Sequence, residues 1–134
     1  MIGIIILAHG KLGEEFISVA EKIVGPQENI HTLSIDAQDI LPQASDDLRT
    51  LIEKSDIGNG VLILTDLFGG TPSNLAISVL GFSKKVEVLA GINLPMLIKA
   101  LSLRETEPLE KLVHMAQEAG KKYIHIANDV LHHP

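Results

Sequence analysis

Apolar positions change their period along this chain in a regular alternation. Residues 2–8 form a solid apolar run, the pattern of a strand buried on both faces. Leu12, Phe16, Val19, Ala20, Ile23 and Val24 then recur at helical spacing until Gly25-Pro26 stops the helix. Ile30–Ile35 alternates and reads as a second strand, while Ile40, Ala44, Leu48, Leu51 and Ile52 mark a second helix that ends before Gly58. Residues 61–64 are a third buried strand, broken by Asp66 and the pair Gly69-Gly70. Thr71-Pro72 reads as a helix start, a hydroxyl cap followed by proline, for a helix that carries Leu75, Ala76, Val79 and Leu80 and ends at Gly81. Val86–Ala90 is a fourth strand. Asn93-Leu94-Pro95 opens a helix with Leu97, Ile98 and Leu101. Pro108 opens another, with Leu109, Leu112, Val113 and Ala116 inward and Gly120 closing it; residues 123–127 read as a short final strand.

Solid apolar strands alternating with helices predict an α/β fold: a doubly wound, mainly parallel sheet with helices on both faces. With 134 residues, no internal repeat and no linker, the chain reads as one domain over residues 1–134, with a core of about 1–127 and a tail from 128, in which His132-His133-Pro134 is a ragged end. In such sheets ligands bind beyond the carboxyl ends of the strands, where the strand order reverses. The loops after Ala8, Leu64 and Ala90 are therefore the places to look.

Composition removes several functions. Eleven basic against seventeen acidic residues give a net charge of -6, and three Phe, one Tyr and no Trp leave neither a basic face nor stacking platforms for nucleic acid. The absence of cysteine excludes disulfides, thiol nucleophiles and thiolate metal sites. The apolar start is too short for a membrane span and lacks the basic region of a signal peptide, which points to the cytoplasm.

The three loops hold most of the unusual residues. His9 ends the first strand and is followed by Gly10. An imidazole titrates near 6.5 in the free state, so it serves as base, ligand or nucleophile, although a histidine satisfied by backbone at a strand end reads the same way. Asp66 ends the third strand as His9 ends the first; it would hold one imidazole N–H and leave the other nitrogen free, or merely cap a turn. Gly69-Gly70-Thr71-Pro72 exposes backbone N–H groups at a helix start, an anion site or a simple capped turn. No Gly-Lys-Ser/Thr phosphate loop, dinucleotide fingerprint or G-x-S-x-G elbow is present. His31, His114 and His125 lack paired metal-ligand spacing, so no metal and no cofactor is expected. One nucleophilic imidazole, one orienting carboxylate and one helix start suit phosphoryl transfer through histidine.

Ala8-His9-Gly10, the segment from Thr65 to Asn74, and the segment from Ala90 to Leu97 together resemble the IIA component of the mannose family of the bacterial phosphoenolpyruvate-dependent sugar phosphotransferase system. The resemblance spans residues 1 to about 127. It implies that His9 takes a phosphoryl group from the histidine phosphocarrier protein and hands it to a IIB protein, here expected as a separate chain. It implies that Asp66 hydrogen-bonds the histidine and that Thr71 lies beside the phosphoryl group, in a loop with Gly69, Gly70 and Ser73. Gly10, Phe68, Asn93 and Pro95 would form the rim that meets partner proteins. It further implies four parallel strands plus an antiparallel C-terminal strand, residues 123–127, exchanged in a homodimer. Contact with the membrane would be indirect, through a permease. Two alternatives stay open. One is a regulatory phosphoprotein without sugar transport. The other is the related phosphocarrier subunit of dihydroxyacetone kinase, which tends to carry Ser-His-Ser where this chain has Ala8-His9-Gly10.

Overall fold

The computed structural model describes residues 1–36, 39–81 and 85–132. In chain order the elements are β1 (Gly3–His9), α1 (Leu12–Val24), β2 (Ile30–Ile35), α2 (Leu41–Ser55), β3 (Val61–Thr65), α3 (Thr71–Ser78), β4 (Val86–Ala90), α4 (Leu94–Leu103), α5 (Leu109–Lys122) and α6 (Ala127–His132). The four strands form one parallel sheet in the order β2-β1-β3-β4. The chain therefore steps outward from β1 to β2, crosses back over β1, and continues through β3 to β4. That reversal opens a crevice between the carboxyl ends of β1 and β3.

Strand periodicity divides the core in two. Ile4, Ile6, Ala8, Leu62 and Leu64 point to one face and pack against Ala20 of α1, Leu97 of α4 and Leu112 of α5. Ile5, Leu7, Val61 and Ile63 point to the other and pack against Leu48 and Ile52 of α2 and Ala76 of α3. Ile4, Ile5, Ile6 and Leu7 are each fully excluded from solvent. Burial of such a side chain is worth roughly 1.5–3 kcal/mol, so the solid apolar run of β1 holds both layers together.

Register then places the chemistry. β1 pairs with β2 as far as His9 opposite Ile35, but with β3 only as far as Leu7 opposite Thr65. His9 thus stands two residues beyond the last β1–β3 pair, over the open end of β3. Gly10 follows at φ +54°, a left-handed turn that a side chain strains, and it swings the chain into α1.

Several local expectations change. Residues 123–127 form no strand: residues 124–126 are irregular and Ala127 begins the short helix α6. Ile124 and Ile126 are 76% and 70% exposed, so within this chain nothing packs on them to hold an extended segment. Gly120 does not close α5, which runs on to Lys122. It is there for close approach: a Cβ at Gly120 would lie 2.9 Å from Met96 Cε. Thr71 is the first residue of α3 and Gly70 takes the cap position, with no side-chain cap bond. Ile40 precedes α2 and is 71% exposed rather than inward. His133 and Pro134 lie outside the described residues.

Candidate functional site

The site is built where β1 and β3 end. Asp66, the residue after β3, reaches across to the overhanging end of β1. Its Oδ2 accepts from the His9 backbone N–H at 3.0 Å and lies 2.7 Å from His9 Nδ1. Its Oδ1 accepts from the Leu67 N–H at 2.8 Å. The aspartate side chain is 10% exposed and the histidine side chain 50%. An ionised carboxylate only accepts hydrogen bonds, so Nδ1 carries the proton of the neutral ring and Nε2 carries the lone pair. Among the described residues no hydrogen bond engages Nε2. Burial pushes the Asp66 carboxyl up. The hydrogen bonds from the His9 N–H, the His9 ring and the Leu67 N–H, with the charge of His9, outweigh that push and hold it below its ordinary value.

The start of α3 lies against the same ring. A Cβ placed on Gly70 would sit 3.6 Å from His9 Cε1, the carbon between the two ring nitrogens. The helix start and the imidazole edge are thus within van der Waals reach of each other. The first intrahelical bond runs from Asn74 N–H to Gly70 O at 2.9 Å. The Thr71 and Ser73 N–H groups therefore precede the helical ladder, and Pro72 contributes none. Thr71 lines a cleft of about 300 Å³ together with His9, Ile35, Asp36, Asp39 and Leu41. Larger hollows of about 510 and 560 Å³ lie near Asn59 and near Tyr123, away from His9. The smaller cleft is the one that brings an imidazole with a free ring nitrogen together with a helix start, which makes it the candidate site.

The other expected rim residues divide by environment. Phe68 is 82% exposed on the loop before α3. Ser73 is fully buried, does not line the cleft, and its Oγ has no partner among the described residues. Asn93 is a structural cap: its Oδ1 accepts from Met96 N–H at 3.0 Å and its Nδ2 donates to Gly120 O at 2.8 Å, tying α4 to α5. Pro95 is half-buried in the first turn of α4. The loop after β2 was missed. Asp36, Asp39 and Leu41 line the cleft, and the Ser34 hydroxyl donates to the Gly10 carbonyl. The rule that directs attention to strand carboxyl ends applies to β2 as well. What hid this loop is that only the strand order makes β2 the neighbour of β1.

Among the described residues no helix is long and apolar enough to cross a membrane. The family described as PTS system fructose IIA component (EIIA-man) matches residues 3–117. The PTS system mannose-specific EIIAB component of Escherichia coli K12 is 36% identical over 129 residues, which cover 90% of this chain and 38% of that protein. The chain thus spans well under half the length of this relative. The PTS system fructose-specific EIIA component of Bacillus subtilis is 27% identical, covering 98% of this chain and 90% of its own. The crystal structure of phosphotransferase system component EIIA from Streptococcus agalactiae superposes with a TM-score of 0.81 at 32% identity, over 96% of this chain and 98% of that one.

Proposed function

We propose that this chain, which belongs to the mannose-type IIA family of phosphotransferase system components, is a cytoplasmic phosphocarrier that accepts a phosphoryl group on His9 from the phosphorylated histidine phosphocarrier protein and passes it to a IIB protein. The observation that carries the reading is the division of labour on one ring that lines the cleft: Nδ1 is held by Asp66 at 2.7 Å, and Nε2 has no hydrogen-bond partner among the described residues.

The step balances without a cofactor. The Nε2 lone pair attacks phosphorus, and the N–P bond on the donor histidine breaks with its electron pair returning to the donor ring. The proton on His9 Nδ1 stays in place. The phosphorylated ring is then cationic in its imidazole part, and the Asp66 carboxylate beside Nδ1–H stabilises it. The N–H groups at the start of α3 and the positive end of its dipole offer the phosphoryl oxygens a resting place, with the Thr71 hydroxyl on the cleft wall and Gly69 and Gly70 in the turn before it. Onward transfer to IIB reverses the same movements.

Incubation with phosphoenolpyruvate, enzyme I and the histidine phosphocarrier protein should add one acid-labile, base-stable phosphoryl group, read by intact mass. Its persistence in His9→Ala would sink the assignment. A homodimer belongs to this reading, supported by the exposed apolar side chains of Tyr123, Ile124, Ile126, Val130 and Leu131. Light scattering should return twice the chain mass, and a monomer at all concentrations would remove that part.

A further inference from the structure

We infer that Asp36 and Asp39 set how readily His9 gives up its phosphoryl group, as fixed negative charges lining the same cleft that disfavour the phosphorylated form. The inference rests on the reading of His9 as the acceptor. Both aspartates line the same cleft as His9 and Thr71. Their loop is braced on itself: Asp36 N–H donates to Asp39 Oδ2 at 2.7 Å, and Asp39 N–H donates to Asp36 O at 3.0 Å. Neither Asp36 Oδ atom nor Asp39 Oδ1 is hydrogen-bonded among the described residues. The remaining wall is apolar, Ile35 and Leu41, so it supplies no compensating donor. In the described residues of the four loops that follow the strands, Lys11 is the only cationic side chain.

The two kinds of carboxylate act in opposite directions. Asp66 has the Nδ1 proton between itself and the ring, so it favours the cationic imidazole of the phosphorylated state. Asp36 and Asp39 line the same cleft with no such proton to share. A phosphoryl group carrying close to two negative charges would meet theirs directly. Both aspartates are exposed, so water and salt weaken the repulsion without abolishing it. A carrier needs this balance: enough stabilisation to accept, and enough repulsion to release.

The measurement is the equilibrium constant for phosphoryl exchange between the phosphorylated histidine phosphocarrier protein and the full chain. That constant does not depend on how well the two proteins dock, so it isolates the free energy of the phosphorylated site. Asp36→Asn and Asp39→Asn should each move it toward this chain by about three- to tenfold at low salt, and the gap from wild type should narrow at about 0.5 M salt. Asp39→Glu keeps the charge and should stay near wild type. Glu53→Gln makes the same charge change on α2 outside the cleft and should leave the constant unaltered. An unchanged or lowered constant in both Asn variants, or an equal shift in Glu53→Gln, overturns the inference. If the wild-type chain takes up no phosphoryl group, the reading of His9 fails and this inference with it. Normal uptake with an unmoved constant defeats the inference alone.

Discussion

Arg104 and His9 occupy opposite rims of the same sheet, and their surroundings differ in one decisive respect. Arg104, just past α4, is 3% exposed at the amino-terminal rim. Its Nη1 donates to the carbonyls of Asn29 at 2.9 Å and Ile2 at 3.5 Å; its Nη2 donates to Gln27 Oε1 at 3.1 Å and to the Glu28 carbonyl. Burial pulls its pKa down, with Glu105 and Glu28 opposing, and a guanidinium remains charged through any such shift. Its donors face acceptors already in place, and it clamps the α1–β2 loop beneath the strands. His9 has one nitrogen engaged and one bare, and half its side chain is open to water. A polar group that the fold fully satisfies is structure. A polar group that the fold satisfies on one side and presents on the other is equipped for chemistry.

Breaking each rim in turn should separate the two roles. His9→Ala should abolish phosphoryl uptake and leave the unfolding free energy measured in urea within about 1 kcal/mol of wild type, because the lost side chain is half exposed. Arg104→Met should do the reverse. Removing the guanidinium leaves the Glu28 carbonyl and Gln27 Oε1 without their donor, while the Asn29 carbonyl keeps only the Ile4 N–H, at a cost of about 3 kcal/mol by chemical denaturation. Phosphoryl uptake per folded molecule should match wild type. An Arg104 variant that stays stable but loses uptake would merge the two rims into one functional unit.

Asp66→Asn comes next. An amide offers Nδ1–H a weaker acceptor and can present its NH₂ to the ring instead, so uptake should slow by about 10- to 100-fold with the fold retained. The pH dependence follows from the lowered Asp66 pKa. Its contribution to stability is complete above the ordinary carboxylate value of 3.8 and is lost as the pH falls through the lower folded value. The acid limb of stability should therefore be shallower in Asp66→Asn than in wild type. Superimposable acid limbs would show that the hydrogen bonds to Asp66 do little in solution.

The difference between the rims also explains what the residues alone could reveal. β1 and β3 were readable because burial on both faces leaves an unbroken apolar signature, and the outer strands β2 and β4 because apolar residues still alternate along them. His9 and Asp66 were readable because a polar residue that ends such a run is conspicuous. Arg104 was not, since an arginine at a helix end reads as a solvated charge until Ile2, Glu28 and Asn29 are folded around it. Asp36 and Asp39 were missed for a related reason: their closeness to His9 comes from strand order, which no local pattern encodes. Residues 123–127 misled because β-branched and aromatic side chains predict an extended segment whatever edge is available to pair with it.

Ser34→Ala tests the comparison most finely. The Ser34 hydroxyl on β2 donates to the Gly10 carbonyl, the peptide that turns directly after His9. That carbonyl lies at an exposed position, so water replaces the lost donor and stability should fall by no more than about 1 kcal/mol. Positioning is a separate matter. If the carboxyl-terminal rim works because one nitrogen is aimed, a freer turn spreads the ring over more orientations, and uptake should drop by about threefold at unchanged donor affinity. The Asp66 acid limb should be preserved, because both His9 hydrogen bonds to that carboxylate remain available. Equal uptake in Ser34→Ala and wild type would mean that Asp66 alone aims the ring, and that β2 contributes to this rim only through the charges of its following loop.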